Sequence, residues 1–465
     1  MKNHAVTPAP KGNILMRALV FTLVISSMNA NMFNIVLPTI SKEFELSPSQ
    51  VSWVITSYMI VYAVGAVTFG KLTEKYRLKD LLTYGLLLFV LGSVAGVAAT
   101  EYWMIIVGRV VQAGGASVIP AMAMIIPVRY FSPDKRGRAL GTSAIGIALG
   151  TALGPIIAGM VISAWSWRIL FLIPLLSLLT LPVYRKYLQD DESGKAGRMD
   201  WLGGILLAVT VTATLLALTN GGFKLALAAV LMLILFILRI RSAAAPFIHP
   251  DIFRNKQYSI ILIITFCITG ISFSSPYLIP QLLTLVNSLS PAYIGIVMLP
   301  AAIVTSVLGR KGGKLADEHG NPRLVYLAAS LLVIGFLCLS SVAGGSAVLV
   351  SLSLIFCVLG QSFMQIAMSN TVSRTLTPEQ TGVGMGLFSM LTFISAAAST
   401  AVLGKMLDSG APAAAFNPLP GNQAAFMFSN IFAVLAVLVI AVSMVYYVQF
   451  GRKESRLSGT ISKDL

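Results

Sequence analysis

Residues 70–79 read GKLTEKYRLK, and residues 313–323 read GKLADEHGNPR. The two stretches begin 243 residues apart, and each directly follows an apolar run. Self-similarity at long range marks a chain built from repeated units. Duplicated halves with matching loops are the pattern of membrane carriers. The two loops therefore divide the chain before any single residue is interpreted.

Around these loops the sequence is a succession of apolar runs of about 20 residues, the length of a membrane-crossing helix. Fourteen are predicted, over residues 15–38, 51–70, 80–99, 103–127, 138–163, 167–187, 201–219, 222–239, 258–281, 289–309, 324–343, 346–369, 382–405 and 425–449. A barrel would alternate apolar and polar residues over segments of about 10 residues. The composition agrees: of 465 residues, 56% are hydrophobic and 11% charged, against about 25% charged in soluble proteins. Mean hydropathy is +0.84. An ordinary cytosolic enzyme, a disordered chain and a collagen-like chain are excluded. Cys267, Cys338 and Cys357 lie within apolar runs, with no C-x-x-C or His–Cys cluster, so neither a disulfide framework nor a metal site is expected. The first apolar run is too long for a signal-peptide core and is expected to be a retained first span.

The charges orient these spans. Net charge is +16. An even number of spans puts both termini on one side. If that side is cytoplasmic, 28 of the 33 basic residues fall in cytoplasmic segments. Lys42, Arg168, Lys224 and Lys405 fall outside, and Arg109 alone falls within a span. This asymmetry predicts cytoplasmic termini. It also accounts for the basic excess with no nucleic-acid partner.

The repeated loop resembles the G-x-L-a-D-x-x-G-r-r/k motif of the major facilitator superfamily. The second copy matches at Gly313, Leu315, Asp317, Gly320 and Arg323. The first has Gly70, but Glu74 replaces the Asp and Arg77 stands where a Gly is usual. RVVQAGGAS, with Arg109, Gln112, Gly114 and Gly115, resembles the family's R-x-x-Q-G-x-g-a pattern. GIALGTALGPIIAG, with Gly146, Gly150, Gly154, Pro155 and Gly159, resembles its drug-antiporter motif. NIVLPTI, MDWLGG and PFIHPDIFRNKQYS are similar to the fourteen-helix drug:proton antiporters, the tetracycline-exporter group above all. The resemblance implies an all-α integral membrane protein with fourteen transmembrane helices: two six-helix halves with inverted repeats plus two extra central helices. The implied divisions are an N-terminal half (1–187), cytoplasmic linkers with the extra helices (188–257), a C-terminal half (258–450) and a cytoplasmic tail (451–465).

The motif residues carry two readings each. Glycines every four residues along span 5 lie on one face and admit a neighbouring backbone, as simple packing or as a bendable interface. Pro155 removes a backbone donor and can kink the helix. Arg109, deep in a span, costs about 2.5–3.5 kcal/mol on insertion scales, so it faces a cavity or a partner, either in coupling and substrate binding or as a hydrogen-bond hub. Gln112, three residues on, shares its face. Glu74 and Asp317, with their basic neighbours, are expected to form cytoplasmic latches or simply solvated loops.

All 17 acidic residues fall in loops or at span ends. Related tetracycline exporters carry acids in spans 1 and 5, where this chain has Ala30 and Thr151. A metal–tetracycline cation would meet Arg109 and no buried anion, which weakens the case for tetracycline as the substrate. The resemblance implies that spans 1, 4, 9 and 12 line the central path, with neutral polar candidates: Asn29, Asn31 and Asn34; Gln112 beside Arg109; Ser272, Ser274, Ser275, Tyr277 and Gln281; and Gln361, Gln365 and Asn370. Each could instead serve an interhelical hydrogen bond. No Walker loop, nucleotide fingerprint or catalytic triad is present, so the chain is expected not to be an enzyme and to need no cofactor beyond a proton gradient. The reading is a monomeric multi-pass protein of a bacterial cell membrane that exports a small amphiphilic compound by proton antiport. An importer or uncoupled facilitator of a neutral or anionic solute is the alternative on the same fold. A receptor that borrowed the scaffold is a third, without a signalling domain to support it.

Overall fold

The computed structural model describes residues 9–188, 200–248, 250–377, 380–410, 412, 416–420 and 422–451. His249, most of the mixed-charge linker at 190–200 and the tail from 452 lie outside the described residues, as do the side chains of Glu74 and Asp317. Among the described residues, fourteen helices are long and apolar enough to cross a membrane. They are α1 (Lys11–Glu43), α2 (Pro48–Thr73), α3 (Leu78–Val97), α4 (Tyr102–Pro127), α5 (Ala139–Ala164), α6 (Trp167–Tyr187), α7 (Trp201–Asn220), α8 (Phe223–Ser242), α9 (Lys256–Leu285), α10 (Pro291–Gly309), α11 (Asn321–Val342), α12 (Ala347–Arg374), α13 (Val383–Asp408) and α14 (Gln423–Phe450). Each of the fourteen runs in the sequence becomes one helix. Several are longer than the hydropathy suggests, and α1 takes in Lys11, Arg17 and Lys42 at its ends.

Local chemistry sets the boundaries. Ser47 begins α2 with a reciprocal cap: the Gln50 amide N–H donates to Ser47 Oγ, and the Ser47 N–H donates to Gln50 Oε1 at 2.8 Å. Gly221 and Gly222, at φ +70° and +97°, make the turn from α7 to α8, a backbone that residues with a Cβ rarely adopt. Two helices break in mid-span for one reason. In α4 the α-helical run stops at Ala116 and restarts at Val118, four residues after Ala116 lying Pro120. In α9 it stops at Ser272 and restarts at Ser274, and Pro276 stands four residues beyond Ser272. In each case proline removes the N–H that would meet the carbonyl four residues back. By contrast, α5 runs unbroken through Pro155.

The chain divides into two compact units, Met1–His249 and Pro250–Leu465. In the first, α1 packs on α5, α2 on α4, α3 on both α4 and α6, and α1 on α6. Exchanging α1, α2 and α3 for α4, α5 and α6 maps these pairs onto themselves. A shift of three helices reverses direction, so this is the packing of an inverted repeat. The second unit repeats the scheme: α9 on α13, α10 on α12, α11 on α12 and α14, and α9 on α14. The extra helices α7 and α8 pack on each other, and α7 packs on α2.

Candidate functional site

Arg109 is fully buried in the first unit. Its Nε donates to the Val54 carbonyl at 3.1 Å and its Nη1 to Gln112 Oε1 at 3.1 Å. Gln112 Nε2 donates to Ser93 Oγ at 2.8 Å, and Ser93 donates to the Phe89 carbonyl at 2.9 Å. The guanidinium carbon lies 4.0 Å from the centroid of Tyr58 and 4.2 Å from that of Phe33, and desolvated cation–π contacts of this kind are worth about 2 kcal/mol. Four helices thus meet on one cation: α1 through Phe33, α2 through Val54 and Tyr58, α3 through Ser93, and α4.

Glycines make this meeting possible. A Cβ on Gly92 would stand 2.3 Å from the Gln112 nitrogen, and one on Gly115 2.2 Å from the Phe89 nitrogen. The backbones of α3 and α4 therefore touch, and the touch brings Ser93 within reach of Gln112.

From Phe33 an aromatic column runs to the end of α1. Phe33 meets Phe171 edge-on at 4.8 Å, and Phe171 meets Trp167 at 6.2 Å. Trp167 donates to Glu43 at 2.6 Å, and Arg168 pairs with the other oxygen of Glu43 at 2.8 Å.

The remaining span-1 candidates separate. Asn31 donates to the Ser27 carbonyl and Asn34 to the Asn31 carbonyl, so both amides serve their own helix. Asn29 is fully buried beside Tyr58, and neither of its amide atoms makes a well-formed hydrogen bond. The Tyr58 hydroxyl, beside Asn29 and Ser26, has no well-formed hydrogen bond either.

In the second unit, Gln361 and Gln365 on α12 line a small hollow with Met364 and Met368 of the same helix and Thr269, Ser272 and Phe273 of α9. Tyr277 and Gln281 lie on the other side of the α9 break and do not line that hollow. Tyr277 is buried within electrostatic reach of Asp408 at the end of α13, and the Gln281 amide nitrogen is buried without a hydrogen-bond partner.

The span-5 glycines meet α1. Cβ atoms on Gly146, Gly150 and Gly154 would lie 3.2, 2.3 and 3.1 Å from the carbonyl oxygens of Val20, Val24 and Met28. The four-residue spacing on one helix matches a four-residue spacing on the other. Thr151, at the place of the exporters' acid, donates to its own helix at the Ile147 carbonyl.

The two loop copies turn differently. Gly320 has φ +85° and ψ 155°, whereas Arg77, at the equivalent place, has φ −62° and ψ 130°. The first turn closes without a left-handed residue, which explains how Arg77 is accommodated. A Cβ on Gly70 or Gly313 would meet nothing within 4 Å. Arg77 and Arg323 are exposed.

Lys71, in the first loop copy, donates to the carbonyls of Pro246 and Phe247 at 3.0 and 2.9 Å. Asp200 receives the Phe247 N–H at 3.2 Å, the Gly203 N–H at 3.0 Å and Arg239 Nε at 2.8 Å. Burial alone would raise the Asp200 carboxyl, but these three donors outweigh it and hold it below the ordinary carboxylate value.

Sequence reasoning found Arg109 and Gln112 but not Ser93, Val54 or Phe33 as their partners. The available signal was Gly85 and Gly92 on α3 and Gly108 and Gly115 on α4, each pair seven residues apart and facing the other helix.

Fourteen helices able to cross a membrane, paired as inverted repeats within each unit, with a buried cation in the first, define a polytopic carrier. The chain belongs to the major facilitator superfamily, whose family model matches residues 19–400. It is a multi-pass membrane transporter, not an enzyme. It is 26% identical over 384 residues to the riboflavin transporter RibZ of Clostridioides difficile (strain 630), covering 81% of this chain and 84% of that one. It is 25% identical over 393 residues to the multidrug resistance protein Stp of Mycobacterium tuberculosis (strain CDC 1551 / Oshkosh), covering 82% and 73%. The fold is similar to that of the nucleoside transporter NupG (TM-score 0.65, 12% identity, 95% of this chain and 99% of that one). It is also similar to a bacterial homologue of the human lysosomal transporter Spinster (TM-score 0.68, 13% identity, 95% and 97%).

Proposed function

We propose that this transporter exports a small amphiphilic compound across a bacterial cell membrane by proton antiport and alternating access, with both termini cytoplasmic. The observation that carries the reading is Arg109: a fully buried cation in a spanning helix, held by side chains or backbone of three other helices. A charge at that depth is retained for transport work rather than for packing. The glycine contact of α5 with α1 supports it, since a side-chain-free seam lets helices shift against each other. The likeness to the multidrug resistance protein Stp supports the export direction. The α9–α12 hollow, about 10 Å³, holds no more than a water, so its two amides and two thioethers would meet an amphiphile only after α9 and α12 part. Glu74 and Asp317 act as cytoplasmic latches in this scheme.

The second reading, a facilitator of a neutral or anionic solute, is favoured by one observation: among the described residues no carboxylate pairs with Arg109.

The test is proton movement in everted membrane vesicles, reported by a pH-sensitive dye. The panel contains tetracycline, cationic dyes, and neutral and anionic drugs. Antiport predicts collapse of an imposed gradient with at least one compound and none in vesicles lacking the protein. Uptake of a compound with no proton movement would overturn antiport in favour of the facilitator.

A further inference from the structure

A cation inside a membrane protein pairs with an opposite charge or with backbone carbonyls, and among the described residues Arg109 has one such carbonyl and no carboxylate. Arg168–Glu43, Arg239–Asp200 and Arg254–Asp251 are ion pairs among the described residues, and none involves Arg109. Tyr58 is the titratable side chain beside it, and no described carboxylate pairs with it. Two rings, one carbonyl and one amide oxygen occupy most of the guanidinium's surroundings. Its Nη2 is buried and donates to nothing. Next to this group lie the Tyr58 hydroxyl and the Asn29 amide, which are close to each other and to Ser26 but make no well-formed hydrogen bond. Unmet donors concentrated on a desolvated cation are the inverse image of a bound anion.

We propose that Arg109 Nη2, Asn29 and the Tyr58 hydroxyl form a closed site for an oxyanion, a carboxylate or phosphate group. That group is either part of the transported compound or a free ion. The site deepens the reading of Arg109 as a substrate-side residue. With the rings of Phe33 and Tyr58 over the guanidinium and Nε and Nη1 already donating, Nη2 is the nitrogen left to donate to an oxyanion's oxygen. Asn29 and Tyr58 can each add one donor. The site is shut from solvent, so the anion enters and leaves only when the surrounding helices part.

The experiment is thermal unfolding of the purified full chain in detergent, followed by tryptophan fluorescence. Benzoate or inorganic phosphate replaces chloride at constant ionic strength. A saturable rise of the midpoint with at least one probe is expected. A response to benzoate alone assigns the anion to an organic acid; a response to phosphate assigns it to a free or substrate-borne phosphate. Arg109→Gln should abolish the response. Tyr58→Phe keeps the ring over the cation and should raise the half-saturating concentration about fivefold, as should Asn29→Ala. No shift with either probe, or an undiminished shift in Arg109→Gln, overturns the site. If Arg109→Gln does not fold, unchanged half-saturation in both other variants overturns it. Proton movement in vesicles is read separately: intact antiport with no anion response refutes the site and leaves the transport reading standing.

Discussion

Arg109 depends on neighbours that are distant in the chain. The Val54 carbonyl and the Gln112 oxygen are its two hydrogen-bond acceptors. Gln112→Leu removes one acceptor and leaves a charged donor buried, at a cost of about 1.5–3 kcal/mol. Ser93→Ala removes only the outer bond to the amide, worth about 0.6 kcal/mol on average inside membranes. Denaturation in detergent should therefore rank Gln112→Leu well below Ser93→Ala, and equal losses would refute the hub. Arg109 and Gln112 were legible because a charge in a hydrophobic run stands out and a three-residue spacing sets a shared face. Ser93 and Phe33 were not, because nothing periodic connects positions on different helices. Asn31 and Asn34 had the spacing of a polar face, yet each amide found a carbonyl on its own helix.

At the scale of elements, α1 and α5 touch along Gly146, Gly150 and Gly154. A methyl group at Gly150 would stand 2.3 Å from a backbone oxygen that has no rotamer to yield. Gly150→Ala is expected to cost about 1–3 kcal/mol and to lower transport. Gly70→Ala, into open space, should leave stability unchanged or slightly raised. Similar melting of the two variants would refute the close seam. Four-residue spacing revealed this face, but only the fold shows that α1 is the helix it meets. The segments MDWLGG and PFIHP were likewise legible as separate resemblances, while their meeting through Asp200 and Phe247 was not. With its pKa depressed, the Asp200 carboxylate stabilises the fold above its unfolded value of about 3.9, and that contribution is lost as pH falls through the lower folded value. Asp200→Asn should therefore destabilise by about 1.5–3 kcal/mol at pH 7, while leaving the shape of the transport profile between pH 5 and 8 as in the parent. A changed profile would make Asp200 part of proton coupling.

The whole molecule consists of two units that repeat one set of helix pairings. Hydropathy and the duplicated loop predicted the fourteen spans and the doubling. They were silent on pairing, because lipid-facing and protein-facing sides are both apolar in these helices. The positive-inside reading predicts that cysteines introduced at 72–79 and 311–323 react with a membrane-impermeant thiol reagent only in everted vesicles, on a background lacking the native cysteines. Labelling from the outside of intact cells would reverse the orientation. Lys71 ties the loop that begins at Gly70 to the segment that follows α8. Its ammonium donates to two main-chain carbonyls of that segment, and Asp200, at the head of α7, accepts an N–H from the same segment. The added hairpin is thus moored to the first loop copy through backbone acceptors. Such a mooring survives substitution of the side chain at either position that supplies it.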